Sequence, residues 1–239
     1  MKLFNRTLSV LAATLVLASS AYANPITFNL GSYINGDTPL ATDKTPWLTA
    51  TFTDKVLANG NKVVELVMTN NLVNATTKAA TGEYLTDWLF NIDPSIASFS
   101  YSYVSGYIAG VQYGTNSVTG GASIKAGNFD IDFTGATPEA NRFTGGMTSV
   151  YDFSGTGLTA SSFAFTSSSA YYSAADVKGI PLSNGNTGSG SIGTKTYDNT
   201  TTAAGKPTSV PEPASLMLIG LGLASLSIGS RRNKRKNTV

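Results

Sequence analysis

The stretch SFSYSY at residues 98–103 alternates a small polar residue with an aromatic one at every step. Residues 26–30, ITFNL, alternate apolar and polar residues in the same way. Successive side chains of a β-strand point to opposite faces, so a period of two predicts half-buried strands with one apolar face. The chain is therefore expected to be built from β-strands.

Similar patterns recur through the middle of the chain, separated by turn residues. Further candidate strands are residues 47–53, 62–69, 84–92, 107–113, 117–125, 129–134, 148–153 and 161–166. About ten short strands in one domain are typical of an antiparallel β-sandwich. We therefore predict an all-β fold, a single jelly-roll-like sandwich over residues 24–182, with one short helical turn near residues 173–178.

Residues 183–209 differ in composition from the predicted sandwich. They are rich in Gly, Ser, Thr and Asn and contain few apolar residues. Such a segment buries too little apolar surface to fold by itself. It is predicted to be a flexible stalk.

The N-terminal residues 1–23 have the three parts of a secretory signal peptide. Lys2 and Arg6 precede an uncharged run over residues 7–18, which is shorter than a membrane span, and Ala21 and Ala23 form an A-x-A site. A signal helix is therefore expected, with signal peptidase cutting before Asn24.

The C-terminal residues 210–239 combine a proline motif, an apolar segment and a basic tail. Val210, Pro211, Glu212 and Pro213 precede the uncharged residues 214–230. The cations that follow are Arg231, Arg232, Lys234, Arg235 and Lys236. A transmembrane helix over residues 214–230 is predicted, with the basic tail in the cytoplasm and the rest of the chain outside.

These C-terminal features resemble the PEP-CTERM sorting signal of exported proteins in exopolysaccharide-producing Gram-negative bacteria. The resemblance implies recognition by exosortase near the Pro-Glu-Pro motif. It also implies an inner-membrane anchor before processing and a final place in the cell envelope or outside the cell. The central domain resembles PEP-CTERM proteins that have no assigned activity, over residues 46–52, 88–94, 141–146 and 174–180.

Composition excludes several kinds of chemistry. The chain has no cysteine and no histidine, so disulfides, cysteine nucleophiles, Ser-His-Asp triads and imidazole or thiolate metal sites are absent. Residues 24–210 carry nine Lys and Arg against thirteen Asp and Glu, a net charge of −4, although the whole chain has +2. This acidic balance argues against a nucleic-acid partner.

The acidic residues suggest two alternatives to a purely structural role. Asp130 and Asp132 flank Ile131 on a predicted strand, so they share one face and could hold Ca²⁺, or they could simply form a solvated face. No other cofactor is expected. A glycoside-active enzyme would need two carboxylates across a groove, for example Glu83 with Asp87, but no pattern selects a pair.

The aromatic residues provide the alternative of carbohydrate binding. Tyr faces can stack on sugar rings, and the candidates are Tyr107, Tyr113, Tyr171 and Tyr172. The core is expected to contain Trp47, Trp88, Tyr101 and Tyr103. The favoured function is a non-enzymatic exported envelope or matrix protein associated with exopolysaccharide, and a carbohydrate-binding module is the first alternative.

Overall fold

The computed structural model describes residues 24–40, 45–119 and 124–199, which form β-strands and no α-helix. The strands are β1 (Ile26–Leu30), β2 (Ser32–Gly36), β3 (Leu48–Val56), β4 (Lys62–Asn70), β5 (Tyr84–Phe90), β6 (Ser100–Gly106), β7 (Gly110–Val118), β8 (Phe129–Thr134), β9 (Phe143–Thr144), β10 (Thr148–Ser154), β11 (Ser173–Pro181) and β12 (Thr187–Thr194). Two short 3-10 helices cover Glu139–Asn141 and Ala160–Phe163. The all-β prediction is confirmed for these residues.

The strands form two antiparallel sheets. The five-stranded sheet has the order β1-β3-β4-β10-β6. The seven-stranded sheet has the order β2-β12-β11-β5-β8-β7, and β9 pairs with β5. Most connections between consecutive strands pass from one sheet to the other.

Aromatic side chains from both sheets meet in one core. The Phe52 ring of β3 lies 5.4 Å from the Phe90 ring of β5, which belongs to the other sheet, and 5.9 Å from the Phe28 ring. Trp88 is fully buried, and Trp47 is buried as well, as predicted. Burial of this apolar surface between the sheets is the main stabilising contribution to the fold.

The predicted strand over residues 161–166 is wrong. Ala160–Phe163 form a 3-10 helix whose start is fixed by reciprocal hydrogen bonds between Thr159 and Ser162. The turn inserts Phe163 into the core, where its ring stacks on Phe52 at a centroid distance of 4.0 Å. The alternating pattern of residues 161–166 therefore reflects the burial of Phe163 and not a strand with one apolar face.

The predicted helical turn at residues 173–178 is also wrong, because these residues lie in β11. β11 pairs with β12 on one side and with β5 on the other. Ala175 and Val177 face the main core, whereas Ala174 packs into a second small cluster with Leu89 and Phe129. Residues 173–177 of β11 are buried on both faces, so this strand lacks the exposed polar face that gives a half-buried strand its alternation.

The predicted stalk begins too early. Residues 187–194 form β12, and Ile192 is fully buried in the core. Glycine is required here because a Cβ on Gly190 would overlap the carbonyl oxygen of Asp37, which follows β2. The glycine content therefore reflects close backbone packing inside a sheet.

The described chain returns to β1 after β12. The Thr27 N–H donates to the Asp198 carbonyl oxygen at 2.8 Å, and the Asp198 N–H donates to the Thr27 carbonyl oxygen at 2.9 Å. The Tyr197 ring lies 6.4 Å from the Phe28 ring and 4.9 Å from the Tyr172 ring. The folded domain therefore extends at least to Asp198 rather than ending at residue 182.

Several predicted segments lie outside the described residues. These are the signal helix, the stalk from residue 200 onward, the sorting motif, the apolar run 214–230 and the basic tail. Within the ranges that are described, no helix is both long and apolar enough to cross a bilayer.

Candidate functional site

A polar groove lies on the face of the seven-stranded sheet that points away from the core. Asp87 of β5 and Asp132 of β8 alternate with Trp88 and Phe133, whose rings are buried in the core, so both carboxylates point to the opposite face. The groove has a cavity volume of about 360 Å³. We call it the acidic groove, and it is lined by Asp87, Gln112, Tyr113, Asp132, Thr134 and residues 117–119.

Asp132 is the most unusual residue of the acidic groove. It is only 3% exposed, and its Oδ1 atom has no hydrogen-bond partner among the described residues. Its carboxyl is within hydrogen-bonding range of the Asp87 carboxyl. Burial first, and then the Asp87 carboxyl, raise the pKa of Asp132 to about 7, although a backbone hydrogen bond from Trp88 lowers it in part. Near neutral pH the Asp132 carboxyl can therefore hold a proton.

A third carboxyl lies next to Asp87 but does not line the acidic groove. Asp176 of β11 is directly opposite Asp87 and is 1% exposed. The Thr86 hydroxyl donates to Asp176 Oδ2 at 3.1 Å, and Lys178 Nζ lies 3.9 Å from the same oxygen. Burial raises the pKa of Asp176, while the Thr86 hydrogen bond and Lys178 lower it. Asp176 therefore adds negative potential behind the groove when it is ionised.

The raised pKa of Asp132 predicts a specific pH dependence of stability. Between the ordinary value of 3.8 and about 7, the folded protein holds a proton that the unfolded chain has released. The favourable contribution of Asp132 to the free energy of unfolding is therefore present at low pH and is lost as pH rises through this window. Asp132→Asn should remove the dependence and raise the free energy of unfolding at pH 8 by on the order of 2–4 kcal/mol.

Urea denaturation of both proteins between pH 4 and pH 8 measures this difference. Asp152 and Asp176, whose pKa values are also raised by burial, are present in both proteins, so their effects cancel. Parallel stability curves for wild type and Asp132→Asn would show that Asp132 does not titrate in this range.

A row of exposed tyrosines lies on edge strands of both sheets. β6 is an edge strand of the five-stranded sheet and β7 is an edge strand of the seven-stranded sheet. Tyr101, Tyr103 and Tyr113 on these strands are 38%, 42% and 59% exposed, and we call them the tyrosine edge. The Tyr101 and Tyr113 rings lie 6.3 Å apart, and the ring of the buried Tyr151, on the adjacent strand β10, lies 6.3 Å from Tyr101 and 5.8 Å from Tyr103. The Tyr113 ring points to the core side of β7, 5.3 Å from the Phe99 ring, whereas the acidic groove lies on the opposite face of the sheet.

The four tyrosines predicted as a sugar platform do not form one surface. Tyr107 stacks on Phe143 at 4.7 Å, and its hydroxyl oxygen accepts a hydrogen bond from the Ala136 N–H. Tyr172 packs against Phe28 in the core region. Lys195 Nζ lies over the Tyr171 ring, 4.6 Å from its centroid. Of the four tyrosines, only Tyr113 belongs to the tyrosine edge. The core prediction for Tyr101 and Tyr103 is wrong, because every residue of β6 is exposed.

The predicted pairing of Asp130 with Asp132 is not found. The Asp130 oxygens accept hydrogen bonds from the Ile92 N–H at 3.0 Å and the Asn116 N–H at 2.7 Å. Asp130 lines other cavities than the acidic groove, and both carboxyls are buried, so they do not form a solvated face. No group of three Asp or Glu residues among the described ones is arranged to hold a metal ion.

The Glu83 carboxylate is also used inside the fold. It is fully buried and accepts hydrogen bonds from the Thr81 hydroxyl at 2.6 Å and the Leu40 N–H at 3.2 Å. Glu83 does not line the acidic groove with Asp87. The partner of Asp87 is Asp132, which is distant in sequence, and no local sequence signal identifies this pair.

Comparison with known proteins bears on the C-terminal segment. Residues 209–235 match the family model described as the PEP-CTERM protein-sorting motif. No curated protein and no solved structure gives a significant match to the chain. The resemblance stated for residues 210–239 is confirmed: the chain carries the sorting motif of an exosortase substrate, which implies an exported protein that is anchored in the membrane before processing.

Proposed function

We propose that this exosortase-sorted protein is a non-enzymatic component of the cell envelope or extracellular matrix that binds exopolysaccharide. The observation that carries the proposal is the tyrosine edge. Three large rings are exposed side by side on two edge strands, although burial of such rings is normally favourable. Exposed aromatic faces flanked by polar groups suit the stacking of sugar rings.

The surroundings of the tyrosine edge support the same proposal. The acidic groove lies on the other face of β7, where Gln112 and Thr134 provide an amide and a hydroxyl. Such groups match the donors and acceptors of sugar hydroxyls. The sorting motif adds the location, because it implies export from the cell.

The spacing of the groove carboxyls favours binding over hydrolysis. Glycosidases place two carboxyls about 5–9.5 Å apart, on either side of the bond to be cleaved. Asp87 and Asp132 are in hydrogen-bonding range of each other instead. This closeness leaves no room for a glycosidic bond between them, which supports a non-enzymatic role.

Affinity electrophoresis of the mature protein in gels containing bacterial polysaccharides tests this function. The combined variant Tyr101→Ala, Tyr103→Ala and Tyr113→Ala should bind roughly tenfold to a hundredfold more weakly than wild type, since each stacked ring contributes on the order of 1 kcal/mol.

Tyr33→Ala is the matched control for this experiment. Tyr33 is 50% exposed on β2, at the opposite end of the seven-stranded sheet, and its hydroxyl donates to the Gly36 carbonyl as that of Tyr103 does to Gly106. Unchanged mobility of wild type with every polysaccharide would reject the function. An equal loss with Tyr33→Ala would reject the tyrosine edge as the binding surface.

A further inference from the structure

A long uncharged segment of the chain carries two sheet edges. Residues 94–124 contain no Asp, Glu, Lys or Arg, although 13% of the chain is charged. They include β6 and β7, each of which is the last strand of its sheet. Edge strands are usually protected from pairing with other chains by charged residues, by proline or by a covering segment. β6 contains no charged residue and no proline.

The outer side of β6 is regular in the stretch that matters for pairing. Among the described residues, β6 pairs only with β10, and residues 100–103 do so in one register, before a shift that follows Tyr103. All seven residues of the strand are exposed. Such an edge presents a row of backbone N–H and C=O groups with which another strand can form hydrogen bonds.

Apolar side chains are concentrated at the same edge. Tyr101 and Tyr103 are directly opposite Phe153 and Tyr151 of β10, so their rings point to the core side of the sheet. They are nevertheless exposed, because no described strand continues the sheet beyond β6. Of the nine large apolar side chains that are exposed among the described residues, five lie close together in the chain: Tyr101, Tyr103, Val104, Ile108 and Tyr113. A concentration of this kind typically marks an interaction surface.

We propose that β6 pairs antiparallel with β6 of a second copy of this protein, which joins two five-stranded sheets into one continuous sheet. The inference goes beyond polysaccharide binding and does not depend on it, because the pairing uses backbone groups rather than ring faces. Two identical antiparallel strands are related by a two-fold axis, the commonest symmetry of protein dimers. With Ser102 at this axis, Tyr101 of each copy lies opposite Tyr103 of the other, on the core side of the joined sheet.

The charges of the domain favour a second copy as the occupant of this edge. Residues 24–210 carry a net charge of −4, so two copies approach most easily through a surface without charge. An uncharged edge has no group that selects an acidic or a basic partner, whereas it is complementary to itself. Asp198, near the end of the described residues, is bridged to Thr27 of β1, which is the other edge of the same sheet, about 19 Å or four strand spacings from β6. A second copy therefore fits this edge better than the continuation of the same chain.

The other sheet edges are less suited to pairing. β1 is already bridged by Asp198 on the side away from β3. The pairing of β7 with β8 is interrupted between Tyr113 and Val118, and that of β2 with β12 also contains a register shift. Such irregularities bend an edge away from a partner strand. β6 is therefore the edge to which the inference is limited.

Sedimentation velocity of the mature protein over a range of protein concentrations tests the inference. Wild type should shift from monomer to dimer as the concentration rises. Ser102→Lys should weaken dimerisation roughly tenfold or more, because the two added ammonium groups then meet at the paired edges. Ser102 is exposed and lies opposite Asp152 of β10, so this substitution should leave the fold intact.

Ser32→Lys is the matched control variant. Ser32 is exposed on β2, an edge strand of the other sheet, and the same charge added there should leave dimerisation unchanged. Amide hydrogen exchange of wild type is the second measurement. Exchange of the β6 amides should slow as the dimer forms, whereas exchange of the β2 amides should not change.

Three results would each overturn the inference. Wild type could remain monomeric at every concentration, which would leave polysaccharide binding intact, because the gel assay measures that function separately. Equal weakening by Ser102→Lys and Ser32→Lys would mean that added charge in general, and not its place on β6, controls association. Dimerisation without slower exchange in β6 would mean that the copies meet at another surface.

Discussion

A chain of residues 24–182 is expected to lose cooperative folding, whereas residues 24–199 should retain it. The shorter chain lacks β12, which pairs with β11 and with β2. β2 has no other strand partner in its sheet, and β11 would become an edge with unpaired backbone groups. The loss of Ile192 would also open the core, because this residue is fully buried.

Urea denaturation followed by tryptophan fluorescence measures the effect of this truncation. Trp88 reports on the core and lies on β5, beside β11. The longer chain should show a single sigmoidal transition, and the shorter chain should show none. A cooperative transition of similar midpoint in the shorter chain would mean that β12 contributes little to the fold.

Phe52→Ala is expected to lower the free energy of unfolding by about 3–5 kcal/mol. The Phe52 ring is fully buried and contacts rings from both sheets and from the 3-10 helix. Its removal leaves a cavity bordered by Phe28, Phe90 and Phe163, whose rings also contact one another or other core rings. Such a site cannot collapse easily, so the cost should be near the upper end of the range.

Phe165→Ala is the matched control for Phe52→Ala. Phe165 lies two residues after the same 3-10 helix and is 37% exposed. Its loss should change the stability by less than about 1 kcal/mol. The two variants can be compared by urea denaturation at one pH, and similar losses would show that Phe52 is not the central core residue.

The sequence could predict the strands that have one apolar and one polar face. β1, β3, β4, β5, β8 and β10 all follow alternating or strongly apolar segments, and their positions agree closely with the structure. β11 and β12 could not be found in this way. Residues 173–177 and 190–194 are mostly small and are buried on both faces, and a glycine is needed at position 190 because the Asp37 carbonyl oxygen lies so close.

The candidate site was harder to predict than the strands. The alternation in residues 98–103 correctly indicates a strand, but whether Tyr101 and Tyr103 are buried depends on where β6 lies in its sheet. Likewise, Asp132 meets Asp87 only because β8 pairs with β5. Strand order is a property of tertiary packing, so no local pattern could reveal either feature.

The position of β12 also determines how the folded domain bears mechanical load. A pull applied at residue 199, the last described residue, reaches the bridge between Asp198 and Thr27 first and then β12. An edge strand can be peeled away one hydrogen bond at a time along a single ladder. β12 has β11 on one side and β2 on the other, so two ladders must yield together. The last strand of the described chain is thus an inner strand, which resists extraction by force better than an edge strand would.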